Sequence, residues 1–513
     1  MMRRGRIARG ALAGIVGVAI VSLLTGCLGL GQLATRGPDP APVTEGVPDD
    51  LLRFYDQPPQ WESCGEGFEC TTITAPLDWH DPDRGEIELA VTRHLAERTT
   101  PVGALLANPG GPGGSGVSLV RDSLAYSFGQ PRREAYDIVG FDPRGVGEST
   151  AVRCYDAAQM DAYLYDIPAA ERGTPEWESE LQGRAADYAH ACEANSGGIL
   201  EFITTEQSAR DLDLLRAVLG QEELTYLGYS YGTFLGATYA DLFPERAGRL
   251  VLDGAIDPSV SGEEVGTTQA VGFEGSLRSF FEWCLGTQGC PFTGSVDNAM
   301  SDLSALLAAV DARPIRAEDG RMLGADTLMT AVIAALYAED NWSYLVAALA
   351  GALEGDATDA FFLADFYNGR NPDGTYADNS TDAFNAYNCM DYPATTAAEQ
   401  AATEQKVREL APTIAPYWSG ADVCAEWPYP PSGERRQLTA EGAAPIVVIG
   451  TTGDPATPYE WAVSLADQLS SGVLVTHEGE GHTAYNGGSR CVNSAVEDFL
   501  LEGTVPEDGL TCR

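Results

Sequence analysis

Gly228-Tyr229-Ser230-Tyr231-Gly232 reads G-x-S-x-G, directly after an expected strand, Leu224 to Leu227, and before the helix-compatible run Thr233 to Leu242. A serine at such a junction is forced onto a tight turn, and the two glycines let strand and helix approach. The hydroxyl is lifted clear of the sheet as a nucleophile elbow. The motif alone arises by chance in a chain with 57 glycines; its strand-and-helix setting raises it above chance.

A serine hydroxyl needs a base to take its proton, and on this kind of scaffold the base comes last in chain order. Of five histidines, His80, His94 and His190 precede the serine. His477 closes an expected strand, where its ring would be held in the sheet. His482, in Gly479-Glu480-Gly481-His482, falls in a loop beyond that strand and is the expected base. The orienting acid should end a strand between serine and histidine. Ile446 to Ile449 runs into Gly450-Thr451-Thr452-Gly453-Asp454-Pro455, which makes Asp454 the candidate, with Thr457 placed to hydrogen-bond its carboxylate. Asp253, ending Leu250 to Leu252, is the rival; its alternative role is to cap the following turn.

Acyl transfer also requires donors for a developing oxyanion. The expected strand Gly103 to Ala107 exits into Asn108-Pro109-Gly110-Gly111-Pro112-Gly113-Gly114-Ser115-Gly116. The N–H of Gly111 and that of Tyr231, next to the nucleophile, are the expected pair. Phosphate cradling is disfavoured: no Lys-Ser/Thr follows and the G-x-G-x-x-G spacing is not met cleanly.

These residues need a frame. Short apolar runs recur at Thr71 to Ala75, Ile87 to Arg93, Gly103 to Ala107, Tyr136 to Phe141, Leu224 to Gly228, Leu250 to Leu252, Ile446 to Ile449 and Val473 to Thr476. Several are apolar nearly throughout, as strands buried on both faces are. Between them lie helical patterns such as Ser208 to Leu219, with Leu212, Leu215, Val218 and Leu219 on one face. The alternation predicts an α/β fold, the α/β-hydrolase arrangement: a mostly parallel sheet with crossover helices. The strand rhythm stops at about residue 259 and resumes near 441. Residues 259–440 are expected to form a large helical lid, inserted between a first core part, 51–258, and a carboxyl-terminal part, 441–513, that carries acid and base. The lid aromatics Phe280, Phe281, Trp283, Trp342, Tyr344, Phe361, Phe362 and Tyr367 are expected mostly to build its own core.

At the amino terminus, Arg3, Arg4, Arg6 and Arg9 precede the apolar run Ala11 to Leu24 and then Thr25-Gly26-Cys27. The apolar stretch is short for a spanning helix and reads as a signal peptide over residues 1–27. Cys27 after small residues resembles a lipobox, so it is the expected lipid-bearing residue, with 28–50 a flexible tether above the membrane. The plainer alternative is ordinary secretion. The formal net charge is −44; loss of residues 1–27 would leave 27 basic against 75 acidic side chains, a net −48. Such a surface repels nucleic acid and anionic headgroups, so membrane attachment is expected only through the lipid. Ten cysteines remain beyond Cys27, an even number suited to an oxidising compartment. They fall in neighbouring couples, for which sequential pairing is expected: Cys64–Cys70, Cys154–Cys192, Cys284–Cys290, Cys389–Cys424 and Cys491–Cys512. No couple has zinc-knuckle spacing, and no metal or other cofactor is expected.

Four motifs in order, Asn108 to Gly116, Phe141-Asp142-Pro143-Arg144-Gly145-Val146-Gly147-Glu148-Ser149, the Gly-Tyr-Ser-Tyr-Gly elbow and Gly-Asp-Pro-Ala-Thr-Pro, resemble the secreted tripeptidyl aminopeptidases of actinobacteria, relatives of the prolyl aminopeptidases. The resemblance covers nearly the whole chain after the tether. It implies a serine exopeptidase that removes short peptides from free amino termini; in that family the Asp142 to Ser149 segment is mainly structural. It also calls for a carboxylate from the lid to hold an α-ammonium group, which is protonated below a pKa of ~8. Asp391 is the first candidate, with Glu282, Glu426 and Asp422 behind it. The alternatives are a carboxylesterase or lipase on the same core, or a catalytically silent envelope-binding lipoprotein. Peptides are the expected partners and a monomer the expected state.

Overall fold

The computed structural model describes residues 37–418 and 420–513; the expected signal peptide, Cys27 and the first part of the tether lie outside them. Ten strands form one sheet: β1 (Glu62–Gly65), β2 (Phe68–Pro76), β3 (Glu86–His94), β4 (Ala104–Asn108), β5 (Asp137–Phe141), β6 (Leu224–Tyr229), β7 (Ala247–Asp253), then β10 (Ile446–Gly453), β11 (Gly472–Glu480) and β12 (Leu510–Cys512). Two short strands, β8 (Ile315–Arg316) and β9 (Met322–Leu323), pair separately. The sheet order is β1-β2-β3-β5-β4-β6-β7-β10-β11-β12. From β5 to β12 every pair is parallel, and β1 to β3 form an antiparallel flank joined to β5.

All eight expected strands are present. β4 (ALLAN) and β5 (DIVGF) are buried at every position. Because side chains alternate across a strand, Leu106, Leu250, Leu252, Ile446 and Val448 enter a core on one face of the sheet. Leu105, Val251, Val447 and Ile449 enter a second on the other. Helices Gly116–Ser127, Tyr231–Leu242, Tyr459–Gln468 and Arg490–Glu502 make the crossovers.

β7 and β10 are direct neighbours although residues 254 to 445 separate them in the chain. Within that insertion, helices Gly262–Leu285, Val296–Ala312, Ala325–Leu336, Trp342–Glu354 and Thr358–Tyr367 surround a core of their own that buries Phe280, Phe281, Trp342 and Phe361. Trp283, Tyr344, Phe362 and Tyr367 are among the exposed aromatics instead. Helix Ser380–Asp391 differs: Ala383, Tyr387 and Met390 join the sheet's core, as do Trp427 and Leu438. The insertion thus packs in two parts, because Tyr387 bonds inward, its hydroxyl 2.6 Å from Ser208 Oγ and 2.9 Å from the Arg144 carbonyl.

Five disulfides join Cys64–Cys70, Cys154–Cys192, Cys284–Cys290, Cys389–Cys424 and Cys491–Cys512. Bridges of this number belong to an oxidising, extracytoplasmic compartment. Among the described residues no helix is long and apolar enough to cross a membrane.

Candidate active site

β6 ends at Tyr229, and helix Tyr231–Leu242 begins two residues later, so Ser230 alone makes the turn. Its φ of 54° and ψ of −124° lie where non-glycine residues seldom go. Three hydrogen bonds stabilise the strained residue: its N–H donates to the Asp253 carbonyl at 2.9 Å, and its carbonyl accepts from Thr233 N at 2.8 Å and Thr233 Oγ1 at 2.6 Å. The flanking glycines are required sterically, since a Cβ on Gly228 would meet the Gly232 carbonyl oxygen at 2.4 Å.

The glycine-rich loop after β4 lies directly against this turn. A Cβ on Gly110 would sit 2.6 Å from the Tyr229 carbonyl oxygen, 2.7 Å from Ser230 Cβ and 3.1 Å from the Tyr231 nitrogen. Gly110 donates its own N–H to Asn108 Oδ1 at 2.9 Å. Beyond it, the loop's exit is held by Asp142, which accepts from Ser115 Oγ (2.6 Å), Val117 N (3.1 Å) and Glu148 N (2.8 Å). Arg144, fully buried, forms a two-pronged pair with Asp211 at 2.7 Å for each bond. The Asp142 to Ser149 turn therefore braces the loop.

His482 lies in the loop after β11. Its Nδ1 is 2.8 Å from Asp454 Oδ2 and 3.0 Å from Oδ1. Asp454 is buried at the end of β10 and accepts further bonds from Ala456 N (2.9 Å), Thr457 N (2.8 Å) and Thr457 Oγ1 (2.9 Å). Burial lowers the proton affinity of His482, but the charge and hydrogen bond of Asp454, with Asp253 behind, outweigh it and hold the imidazole above its ordinary value of 6.5. The ring lies near the segment that holds the Ser230 turn. Gly254, next to the residue whose carbonyl holds Ser230 N–H, would place a Cβ 3.1 Å from His482 Cε1.

Asp253 has a different task from Asp454. Its carboxylate accepts the N–H groups of Ala484 (3.0 and 3.1 Å) and Tyr485 (2.7 Å), just past the histidine. Burial raises it to about 6, against the two backbone donors and His482. It pins the histidine loop while its carbonyl pins the serine. His477 stays in β11, opposite Thr451 and Cys512.

A cavity of about 580 Å³ opens beside His482, lined in part by Pro109, Tyr126, Tyr229, Tyr337, Glu339 and Glu480. The expected amine-binding carboxylates are scattered. Asp391 is buried and accepts from Thr205 N (3.0 Å) and Thr205 Oγ1 (2.6 Å), so its lone pairs go to the start of helix Thr205–Val218. Burial raises it to about 6, with those bonds opposing. Asp422 caps the Cys424 N–H at 2.8 Å, and Glu426 is exposed at the end of the same short helix. Glu282 is exposed on helix Gly262–Leu285, close enough that its charge, after burial and Glu339, raises Glu480. Glu480 itself, two residues before His482, escaped the sequence reading although its nearness to that histidine in the chain was a usable signal. The cavity-lining Glu339 gave no such signal.

The carboxyl-terminal segment 411–512 matches the family model described as TAP-like protein. Over 530 residues, all of this chain and 99% of the relative, the sequence is 34% identical to serine protease Hip1 of Mycobacterium tuberculosis. It is 38% identical over 471 residues to carboxylesterase B of the same species, covering 88% of this chain and 89% of that one. With tripeptidyl aminopeptidase of Streptomyces lividans it shares 31% over 477 residues, 88% of this chain and 86% of the relative. At these identities over these lengths, the chain belongs to the α/β-hydrolase family of the tripeptidyl aminopeptidases and their TAP-like relatives.

Proposed function

We propose that the protein is a serine exopeptidase, releasing short peptides, tripeptides foremost, from free amino termini. The observation that carries the reading is the strained Ser230 at the end of β6, with Gly110 packed against its turn and the His482–Asp454 pair in the loop beside Gly254, the residue after the one whose carbonyl takes the Ser230 N–H. Ser230 Oγ attacks the scissile carbonyl as His482 Nε2 takes its proton, while Asp454 holds Nδ1–H and the imidazolium that forms. The amides of Gly111 and Tyr231 receive the oxyanion; Gly110's amide is already engaged by Asn108, and the Tyr231 amide opens a helix, whose dipole favours negative charge. The C–N bond then breaks, the amine leaving with the proton from His482. Water repeats the sequence on the acyl-enzyme and frees Ser230.

The acidic cavity wall supports recognition of an amino terminus. Glu339, Asp340 and Glu480 line it, beside Glu478, which pairs with Arg513 of the same wall, and Glu480 Oε2 is buried without a hydrogen-bond partner. Burial, then the charges of Glu339 and Glu282, push the Glu480 carboxyl up, Ser279 opposing. An incoming ammonium would relieve that repulsion. This placement favours Glu480 over Asp391, whose oxygens are committed to Thr205. The lipid anchor at Cys27 belongs to the same proposal, as does the monomeric state.

The 38%-identical carboxylesterase keeps an esterase reading open, since a serine triad cleaves esters and amides alike. Rates on matched tripeptide amides with free and acetylated amino termini separate the two. The exopeptidase loses at least about 10²-fold in kcat/KM when the amine is blocked, an ammonium–carboxylate pair being worth about 2.7 kcal/mol at that ratio. Equal rates would remove the exopeptidase and leave the esterase.

A further inference from the structure

We infer that Tyr337, at the end of lid helix Ala325–Leu336, is a positioning residue that sets His482 in place, so that the inserted helices are part of the catalytic frame. The inference rests on His482 being the general base.

The histidine loop beyond β11 is held by acceptors from other segments of the chain. His482 N–H donates at 2.8 Å to the Tyr337 carbonyl, across from a different part of the chain. The Tyr337 ring meets the imidazole edge-on, with centroids 5.4 Å apart and planes at 87°. Backbone and side chain of one residue thus fix both the height and the tilt of the ring. The approach is close enough to require glycine at 481: φ there is +95°, and a Cβ would lie 3.1 Å from the Tyr337 carbonyl oxygen. Asp454 holds Nδ1 and, at 3.3 Å, the Thr483 N–H; Asp253 holds the N–H groups of residues 484 and 485, the Gly453 carbonyl takes the Gly481 N–H at 3.3 Å, and Tyr337 holds the backbone of the histidine itself.

Tyr337 is itself held by the lid. Its ring packs against Phe273, on helix Gly262–Leu285, at 5.8 Å and against Tyr367, on helix Thr358–Tyr367, at 5.8 Å. Burial drives the hydroxyl pKa far up, and Tyr367 adds to it. Ala338, Glu339 and Asp340 follow immediately and line the cavity that His482 also lines. A substrate pressing on that segment therefore presses on the support of the base, and a lid displaced from the sheet would carry the His482 amide's acceptor away with it.

The test is the second-order rate of fluorophosphonate labelling at Ser230, measured against pH on the full chain, which needs no peptide specificity. Tyr337→Phe retains the ring edge and the backbone carbonyl and should label within twofold of wild type. Tyr337→Ala should label at least about tenfold more slowly, with the midpoint of its acid limb moved down toward 6.5 as the imidazole loosens from Asp454. Tyr337→Leu, which keeps apolar bulk in the lid, should show the same downward movement and decides the matter if the alanine variant does not fold. Tyr344→Ala, on an exposed lid position, should label like wild type and excludes a general effect of lid surgery. Folded Tyr337→Ala or Tyr337→Leu with wild-type rate and acid limb overturns the inference. A wild-type protein that does not label at Ser230 would instead overturn the catalytic reading beneath it.

Discussion

Two buried aspartates, Asp253 and Asp454, end adjacent strands next to the same histidine loop, and replacing each by asparagine separates their roles. In Asp454→Asn one oxygen can still accept from Ala456 and Thr457, so the turn after β10 survives. The amide NH2 then faces His482 Nδ1, which must accept. That fixes the proton on Nε2, the nitrogen that has to receive the serine proton. The wrong tautomer costs about 10⁴-fold in turnover on triads of this geometry, about 5 kcal/mol of transition-state stabilisation. In Asp253→Asn the remaining oxygen can keep the strongest bond, from Tyr485 N at 2.7 Å, and its longer 3.1 Å contact with Ala484 N, while the amide NH2 takes the place of the oxygen 3.0 Å from Ala484 N; at worst the Ala484 N–H is lost. One buried unsatisfied N–H costs about 1–3 kcal/mol, and even if all of it fell on the active geometry the loss would stay within about 150-fold. Labelling rates at pH 8 on both variants, with circular dichroism to establish folding, give the comparison. If Asp253→Asn lost more activity than Asp454→Asn, or if Asp454→Asn lost less than tenfold, the assignment of the orienting acid would be wrong.

The pH dependence follows from His482. Only the neutral imidazole accepts a proton, and its pKa is raised, so labelling should fall as pH drops, with a midpoint above 6.5; a midpoint below 6.5 would deny the Asp454 pairing. Gly110→Ala should leave a folded protein with kcat lowered by about 10²-fold, because its methyl group would need the space of the Tyr229 carbonyl and Ser230 Cβ at a φ of +98°; wild-type kcat would show the loop to be remote from the nucleophile. Arg144→Met should destabilise the fold by about 3–5 kcal/mol in urea titrations, since it strands the buried Asp211 carboxylate, and a shift under 1 kcal/mol would show that water reaches the pair.

The positions of eight strands were legible because each carries a local signal, and the same kind of signal singled out Ser230 and His482 as candidates. β4 and β5 are apolar but for Asn108 and Asp137 at their ends, and G-x-S-x-G brings its own sterics; a histidine in a glycine-flanked loop after the last long strand leaves little choice. Roles that depend on distant partners were not legible. Asp391 is the first amine-binding candidate in the sequence, yet what its oxygens bond is Thr205, 186 residues earlier in the chain. Asp253 and Asp454 both end strands; chain order favoured Asp454 as the partner of His482, as the structure has it, but the task of Asp253, holding the amides of Ala484 and Tyr485, was not legible. Tyr337 left no trace, because a backbone carbonyl has no sequence signature. The antiparallel edge strand β1 was missed for a physical reason as well: Glu62–Gly65 is short, polar and mostly exposed.

The most direct measurement is the intact mass of the chain after reaction with a fluorophosphonate, followed by peptide mapping. A single adduct on Ser230, absent from Ser230→Ala, is the expected result; an unmodified chain, or an adduct on any other residue, would contradict the account.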